Sequence, residues 1–306
     1  MLRRFLPAWF VGMLATMILL ANTLLWGVVV FALGLVKCIL PLRGVSELLH
    51  RAYKGWCRGN RLGLWLGCAE ISLDLPEQMS EQAWYMLVAN HISWLDIVVL
   101  SALERLPAPK FFLKDELKYV PLIGTGAWAL GMPFMKRASK AKIAKNPKLK
   151  GMDVERTRHS CRHFRQHPTT VINFVEGTRF TAQKHQRQGR EFQYLLKPKA
   201  GGVAFALEVL AQQLDGLLDA TVIYQSPDQH ICRSFMCGKL QRIDVRIRLL
   251  SMDTVPLGNY QTDKQYRVAF QGYLNQLWLD KDAQLAAYWE QQHASDTLCV
   301  DEVKQA

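Results

Sequence analysis

The longest apolar stretch opens the chain. From Phe5 to Val36, 32 residues pass without a charge. One membrane-spanning helix needs about 20 apolar residues and two spans need nearly twice that. The stretch is therefore long for one span and short for two. Arg3 and Arg4 precede it, and Lys37, Arg43, Arg51, Lys54, Arg58 and Arg61 follow. Basic residues at both ends place both on the cytoplasmic side, which favours a hairpin turning at Asn22 and Thr23 over a single crossing. The stretch is far longer than the roughly 7–15 apolar residues of a signal peptide and no clear small-x-small cleavage site follows, so a removed signal peptide is not expected. Residues 1–44 read as a membrane anchor, either a single helix or a helical hairpin.

Beyond the anchor the periodicity alternates. Val45, Leu48, Leu49, Ala52 and Trp56 form a helical stripe with a basic opposite face. Strand-like runs follow at 71–75, 84–89, 111–114, 170–175, 220–224 and 244–250. Segments of helical period lie at 94–105, 152–166 and 202–214, with a last long one at about 262–292. Strands alternating with helices predict an α/β fold, a mostly parallel central sheet flanked by helices. Neither repeats nor low-complexity linkers divide the chain, so 45–306 reads as one domain. The charge-free stretch 119–135 is short for a span and broken by Pro121 and Pro133, and reads as core helix and strand beneath the site.

Composition narrows the partners. With 38 basic and 26 acidic residues the net charge is +12, which favours an anionic partner such as a lipid headgroup, a phosphorylated substrate or nucleic acid. Seven basic residues crowd 136–150 without an acid, from Lys136 to Lys150. Beside an anchor such a run suits an anionic membrane surface; with no nucleic-acid motif alongside, nucleic acid is not an expected partner. The seven cysteines are scattered with no C-x-x-C, which reads as free thiols in a reducing compartment. His159, His163 and His167 recur at four-residue spacing but face away from the apolar stripe of their own helix, without a carboxylate among them. No metal site is expected.

The candidate chemistry begins at "NHISWLD", residues 90–96, between two apolar runs. Ser93 as a helix cap with Asp96 in the first turn is a sufficient structural account. The same geometry lets Asp96 hold the Nδ1–H of His91 and leave Nε2 as a base. Free imidazole titrates near about pH 6.5, suited to proton abstraction at cytoplasmic pH. The heptapeptide alone does not decide between these readings.

Two further blocks follow in order, "FLKDELKYVPLIG" at 112–124 and "FVEGTR" at 174–179. Together with H-x4-D they resemble the glycerolipid acyltransferase family, membrane enzymes that acylate lysophosphatidic acid and related lysophospholipids. The C-terminal "WLDKDAQLAAYW" resembles the branch found in bacterial inner membranes and in eukaryotic lysophospholipid acyltransferases. One block departs: where the family closes a short apolar strand on proline, "VIYQSP" places Gln225 and Ser226 before Pro227. The resemblance implies transfer of a fatty acyl chain from acyl-CoA or acyl carrier protein, the co-substrate, to a lysophospholipid, with 1-acylglycerol 3-phosphate as the expected acceptor and no other cofactor. His91 would be the general base and Asp96 its orienting partner. Lys114, Glu176, Gly177, Thr178 and Arg179 would bind substrate. Gly177 would allow a tight turn, Arg179 would fork onto phosphate, Lys114 would add a point charge, and Glu176 would orient Arg179 or the acceptor. The implied location is a bacterial inner membrane, with the catalytic domain facing the cytoplasm. Two rivals are a late acyltransferase of lipid A, against which "EGTR" and "LKDEL" speak, and a non-catalytic protein binding anionic lipid.

Overall fold

The structure, a computed structural model, describes residues 5–40, 42–103, 105–120, 122–132, 134–135, 167–189 and 191–305, without the side chains of Lys114, Met135 and 293–305. The basic run 136–150, the helical pattern 152–166, His159 and His163 lie outside them. In chain order come helices α1 (Ala8–Ile39) and α2 (Arg43–Gly67), strands β1 (Glu70–Asp74) and β2 (Tyr85–Ala89), and α3 (Leu95–Ser101). Strands β3 (Ala108–Phe111) and β4 (Leu113–Lys114), α4 (Ile123–Ala129), β5 (Phe134–Met135) and β6 (Thr169–Phe174) follow. The remainder is α5 (Ala182–Arg187), α6 (Ala200–Leu210), β7 (Gly216–Gln225), α7 (Ile231–Met236), β8 (Arg242–Leu250) and α8 (Lys264–Gln305).

Six strands form one sheet in the order β1-β8-β7-β2-β6-β3. Every neighbouring pair is parallel except β7 and β8. The mostly parallel sheet matches the alternating pattern of the sequence. β2 is buried along its whole length because both faces are covered. Tyr85, Leu87 and Ala89 face a core layer that includes Leu95 and Val99 of α3 and Phe235 of α7. Met86 and Val88 face a second layer with Val203 and Leu207 of α6 and Phe270 and Trp278 of α8. The run at 111–114 is not one strand: β3 ends at Phe111, and β4 pairs with β5 in a separate two-stranded sheet. The stretch 119–135 also differs from expectation. Its helix α4 packs on α1, where Ala129 sits against Gly34, rather than beneath the main sheet.

The turn expected at Asn22 and Thr23 is absent. α1 runs unbroken through them, long and apolar enough to cross a membrane. Asn22 is tolerated there because α2 satisfies it: its Nδ2 donates to the Trp56 carbonyl at 2.9 Å and to Asn60 Oδ1 at 3.0 Å. Asn60 in turn donates to Ser101 Oγ of α3 at 2.9 Å. The two helices approach closely along Gly55, Gly59, Gly63 and Gly67 of α2. A β-carbon at Gly59 would stand 1.9 Å from Asn22 Oδ1, and one at Gly63 would stand 2.5 Å from Leu19. At its start, α1 touches the end of α7: a β-carbon at Gly12 would meet the Met236 carbonyl oxygen at 2.5 Å. α1 is thus seated on the rest of the chain from Gly12 to Gly34.

Candidate functional site

Register brings the two sequence blocks together. In the parallel pair β2–β6, Ala89 stands opposite Phe174, so "NHISWLD" and "EGTR" leave neighbouring strands at the same carboxyl end. That end is where α/β sheets place ligands. Asn90 extends the β2–β7 ladder with its side chain, donating to the Val222 carbonyl and accepting from its N–H, both at 2.9 Å. The chain leaving β2 is therefore fixed before His91 begins.

His91 Nδ1 lies 2.7 Å from Asp96 Oδ2. The same oxygen accepts the backbone N–H of Ile92 at 2.7 Å and of Ser93 at 3.0 Å. Tyr224 donates its hydroxyl to the other oxygen, Oδ1, at 2.7 Å. Asp96 is 0% exposed, yet four donors surround it, which is what a buried carboxylate requires. A carboxylate so placed accepts Nδ1–H, so the imidazole presents Nε2, which has no hydrogen-bond partner among the described residues. The ring stacks on Phe174, with centroids 4.1 Å apart and planes 17° from parallel. Ser93 also accepts the N–H of Leu95 at 3.2 Å, so the cap and the polar pair coexist in one turn. Burial and the Asp96 contact raise the Tyr224 pKa well above the ordinary phenol value, which keeps its hydroxyl a donor.

The second turn is folded by Gly177, whose φ of 69° lies in the left-handed region, with its N–H on the Phe174 carbonyl at 2.9 Å. Three residues on, the Phe180 N–H reaches the His91 carbonyl at 2.7 Å and ties the two turns together. Glu176 and Arg179 part company here. Arg179 is exposed, its guanidinium carbon 4.9 Å over the Trp94 ring. Glu176 points inward and is 1% exposed, with no ion pair to Arg179 among the described residues. The expectation that Glu176 orients Arg179 therefore fails, because burying one side chain and exposing the other separates their charges. Desolvation pushes the Glu176 carboxyl up to about 8, against the backbone N–H groups of Leu196 and His91 and the charge of Lys281, which pull it down. Its Oε2 has no hydrogen-bond partner among the described residues.

Thr178 accepts Lys184 Nζ at 2.7 Å, and the same ammonium donates to the Arg179 carbonyl at 2.9 Å. Lys184, within α5, is thus a second cation on this turn that the sequence blocks did not single out. The backbone of Lys114 lies in β4, outside the main sheet, and its side chain is not among those described. His167 is not on a bare solvent face: it stacks on His50 with centroids 5.2 Å apart and lies 3.7 Å from Glu47. Among the described residues no cluster of histidine, cysteine and carboxylate side chains is built to hold a metal. Tyr224 and Trp94 went unnoticed in the sequence. Tyr224 belongs to the block that departs from the family pattern, and Trp94 sits inside "NHISWLD" itself.

Residues 70–225 match the family described as Acyltransferase. Human 1-acyl-sn-glycerol-3-phosphate acyltransferase gamma is 26% identical over 270 residues, covering 80% of this chain and 66% of that protein. The delta protein of Mus musculus is 26% identical over 288 residues, covering 86% of this chain and 70% of its own length. Arabidopsis thaliana 1-acyl-sn-glycerol-3-phosphate acyltransferase 3 is 25% identical over 274 residues, covering 83% and 66%. The chain spans about two thirds of the length of these relatives. The crystal structure of the 1-acyl-sn-glycerophosphate acyltransferase PlsC from Thermotoga maritima superposes with a TM-score of 0.53 at 15% identity, covering 90% of this chain and 96% of that one. That last likeness is one of fold. The family match takes in both turns of the site and more than half of the chain, and on it the chain belongs to the acyltransferase family.

Proposed function

We propose that this acyltransferase moves a fatty acyl group from a thioester, acyl-CoA or acyl carrier protein, to the free hydroxyl of a lysophospholipid. The acceptor of choice is 1-acylglycerol 3-phosphate and the product phosphatidic acid. The observation that carries this reading is the 2.7 Å contact between His91 Nδ1 and Asp96 beside a turn presenting Arg179. His91 Nε2 takes the hydroxyl proton as that oxygen attacks the thioester carbonyl. Asp96 stabilises the imidazolium, which returns the proton to the departing thiolate, leaving an ester and a free thiol. The acceptor is itself the nucleophile, so no acyl-enzyme forms. Arg179 and Lys184 suit a phosphate on the acceptor through charge-assisted hydrogen bonds.

The test is acyl transfer by purified His91→Ala protein against a panel of lysophospholipids and donors. Loss of about 10²–10⁴-fold is expected; unchanged turnover would refute the base assignment and favour a lipid-binding scaffold.

The reading places the enzyme on the cytoplasmic face of a bacterial inner membrane, with α1 lying along the bilayer rather than through it. Gly12 to Gly34 spans about 33 Å of helix, as much as the hydrocarbon is thick. Gly12 packs on residues 235–238 and Gly34 on Ala129, and between them α1 is held by α2, whose Arg51, Arg58 and Arg61 are exposed; each would cost about 2.5–3.5 kcal/mol in the bilayer centre. Cysteines introduced at positions 6 and 42 should both label from the cytoplasmic side; labelling from opposite sides would establish a crossing.

A further inference from the structure

The C-terminal helix α8 carries "WLDKDAQL", and two adjacent residues of it are spent on the back of the site. Lys281 is 0% exposed. Its ammonium lies 2.7 Å from Asp219 Oδ1, donates to the Ala220 carbonyl and sits 4.5 Å over the Trp278 ring. Asp219 is held on its other oxygen by Arg248 at 2.6 Å. The next residue, Asp282, accepts the backbone N–H of Gln193 at 2.6 Å and of Tyr194 at 2.8 Å. One helical stretch earlier, Gln271 accepts the Ala200 N–H at 3.3 Å and donates to the Pro198 carbonyl at 3.1 Å.

These contacts grip one segment, residues 193–200, at both ends. That segment is what supports the "EGTR" turn from behind. Lys199 donates its N–H to the Val175 carbonyl at 2.8 Å, and the Leu196 N–H serves the Glu176 carboxyl. A buried ion pair is poor value as pure stabilisation, since hydrophobic replacements of similar volume are often neutral or better. Its presence between α8 and β7 suits a requirement for one geometry.

We propose that Lys281 and Asp282 are positioning residues of the acyl-transfer site. Through the segment 193–200 and the charge of Lys281 they hold Glu176 in register with the His91 turn. The proposal rests on the reading of that site as an acyl-transfer centre. The charged and titratable groups around Glu176 are Lys281 of α8 and Asp96 of α3, with His91 contributing its N–H; around Lys281 they are Asp219 of β7, Arg248 of β8 and Glu176.

The experiment uses the full-length protein and three variants, Lys281→Met, Lys281→Arg and Asp282→Asn. Lys281→Met leaves Asp219 with Arg248, so folding is expected to survive. Amide exchange of 193–196 should quicken on the order of 10-fold in Asp282→Asn while that of β2 stays unchanged. In the pH profile of kcat/KM, the limb that disappears in Glu176→Gln should move up by about one unit in Lys281→Met and return in Lys281→Arg. A role confined to packing would lower the melting temperature of both Lys281 variants and leave the limb in place. Unaltered exchange in Asp282→Asn, or an unmoved limb in Lys281→Met, overturns the proposal. Were the wild type inactive on every thioester and lysophospholipid, the acyl-transfer reading would fall and the exchange result would still decide the clamp.

Discussion

Two carboxyl groups are buried side by side at the carboxyl end of the sheet, and the chain treats them differently. Asp96 is met by His91, two backbone N–H groups and the Tyr224 hydroxyl. Glu176 is equally shielded from water, yet one of its oxygens has no partner among the described residues. Burial alone disfavours a charge; donors restore it. The fully surrounded carboxylate belongs to the turn that needs a fixed negative charge opposite an imidazole. The under-supplied one belongs to the "EGTR" turn, where burial holds its proton up to about pH 8.

The largest effect should come from taking the charge out of the better-satisfied site. Asp96→Asn keeps the volume but places an amide among four donors. It should lower kcat on the order of 10³–10⁴-fold and destabilise the fold by about 1–3 kcal/mol, read by steady-state kinetics and by denaturant unfolding. Retained turnover would mean that the His91 turn needs no fixed charge.

Across the comparison, the exposed arm of the second turn is worth less. Arg179→Ala should raise KM for a phosphate-bearing acceptor by about 10–100-fold, the worth of a hydrogen bond to a charged group. A neutral monoacylglycerol should be little affected. An equal effect on both acceptors removes the phosphate role.

A third effect is on stability rather than turnover and follows from the raised Glu176 value. Unfolded, a glutamate ionises near about 4.3, whereas the folded protein keeps this proton up to about 8. The folded state therefore binds the extra proton across that window, and stability falls as pH rises through it. Glu176→Gln has no such proton to lose, so its melting temperature relative to wild type should rise between pH 5 and pH 8. Parallel curves would show that Glu176 is already ionised in the folded protein across that window.

How much was legible in the linear chain follows from distance along it. His91 and Asp96 are five residues apart, and a strand-to-helix turn brings such a pair together locally. Gly177 announced its turn because it closes a strand with a residue free to adopt positive φ. By contrast, Tyr224 lies 128 residues from Asp96, and its contact exists because β7, an interior strand, runs on beyond the end of β2 on the face of the sheet that carries α3. The unbroken course of α1 is hidden from the linear chain for a similar reason. Asn22 and Thr23 look like a break in an apolar run until α2 supplies the partners that make a mid-helix amide acceptable.

From its own residues, then, the chain determined an apolar first helix, alternating strands and helices, and a histidine–aspartate pair at a strand end, since each depends on neighbours within a turn or two. Tertiary structure decided which way Glu176 and Arg179 point, how many donors each buried carboxyl receives and what α8 grips. Those outcomes depend on groups brought together from across the sheet, whose desolvation and partners no local pattern records.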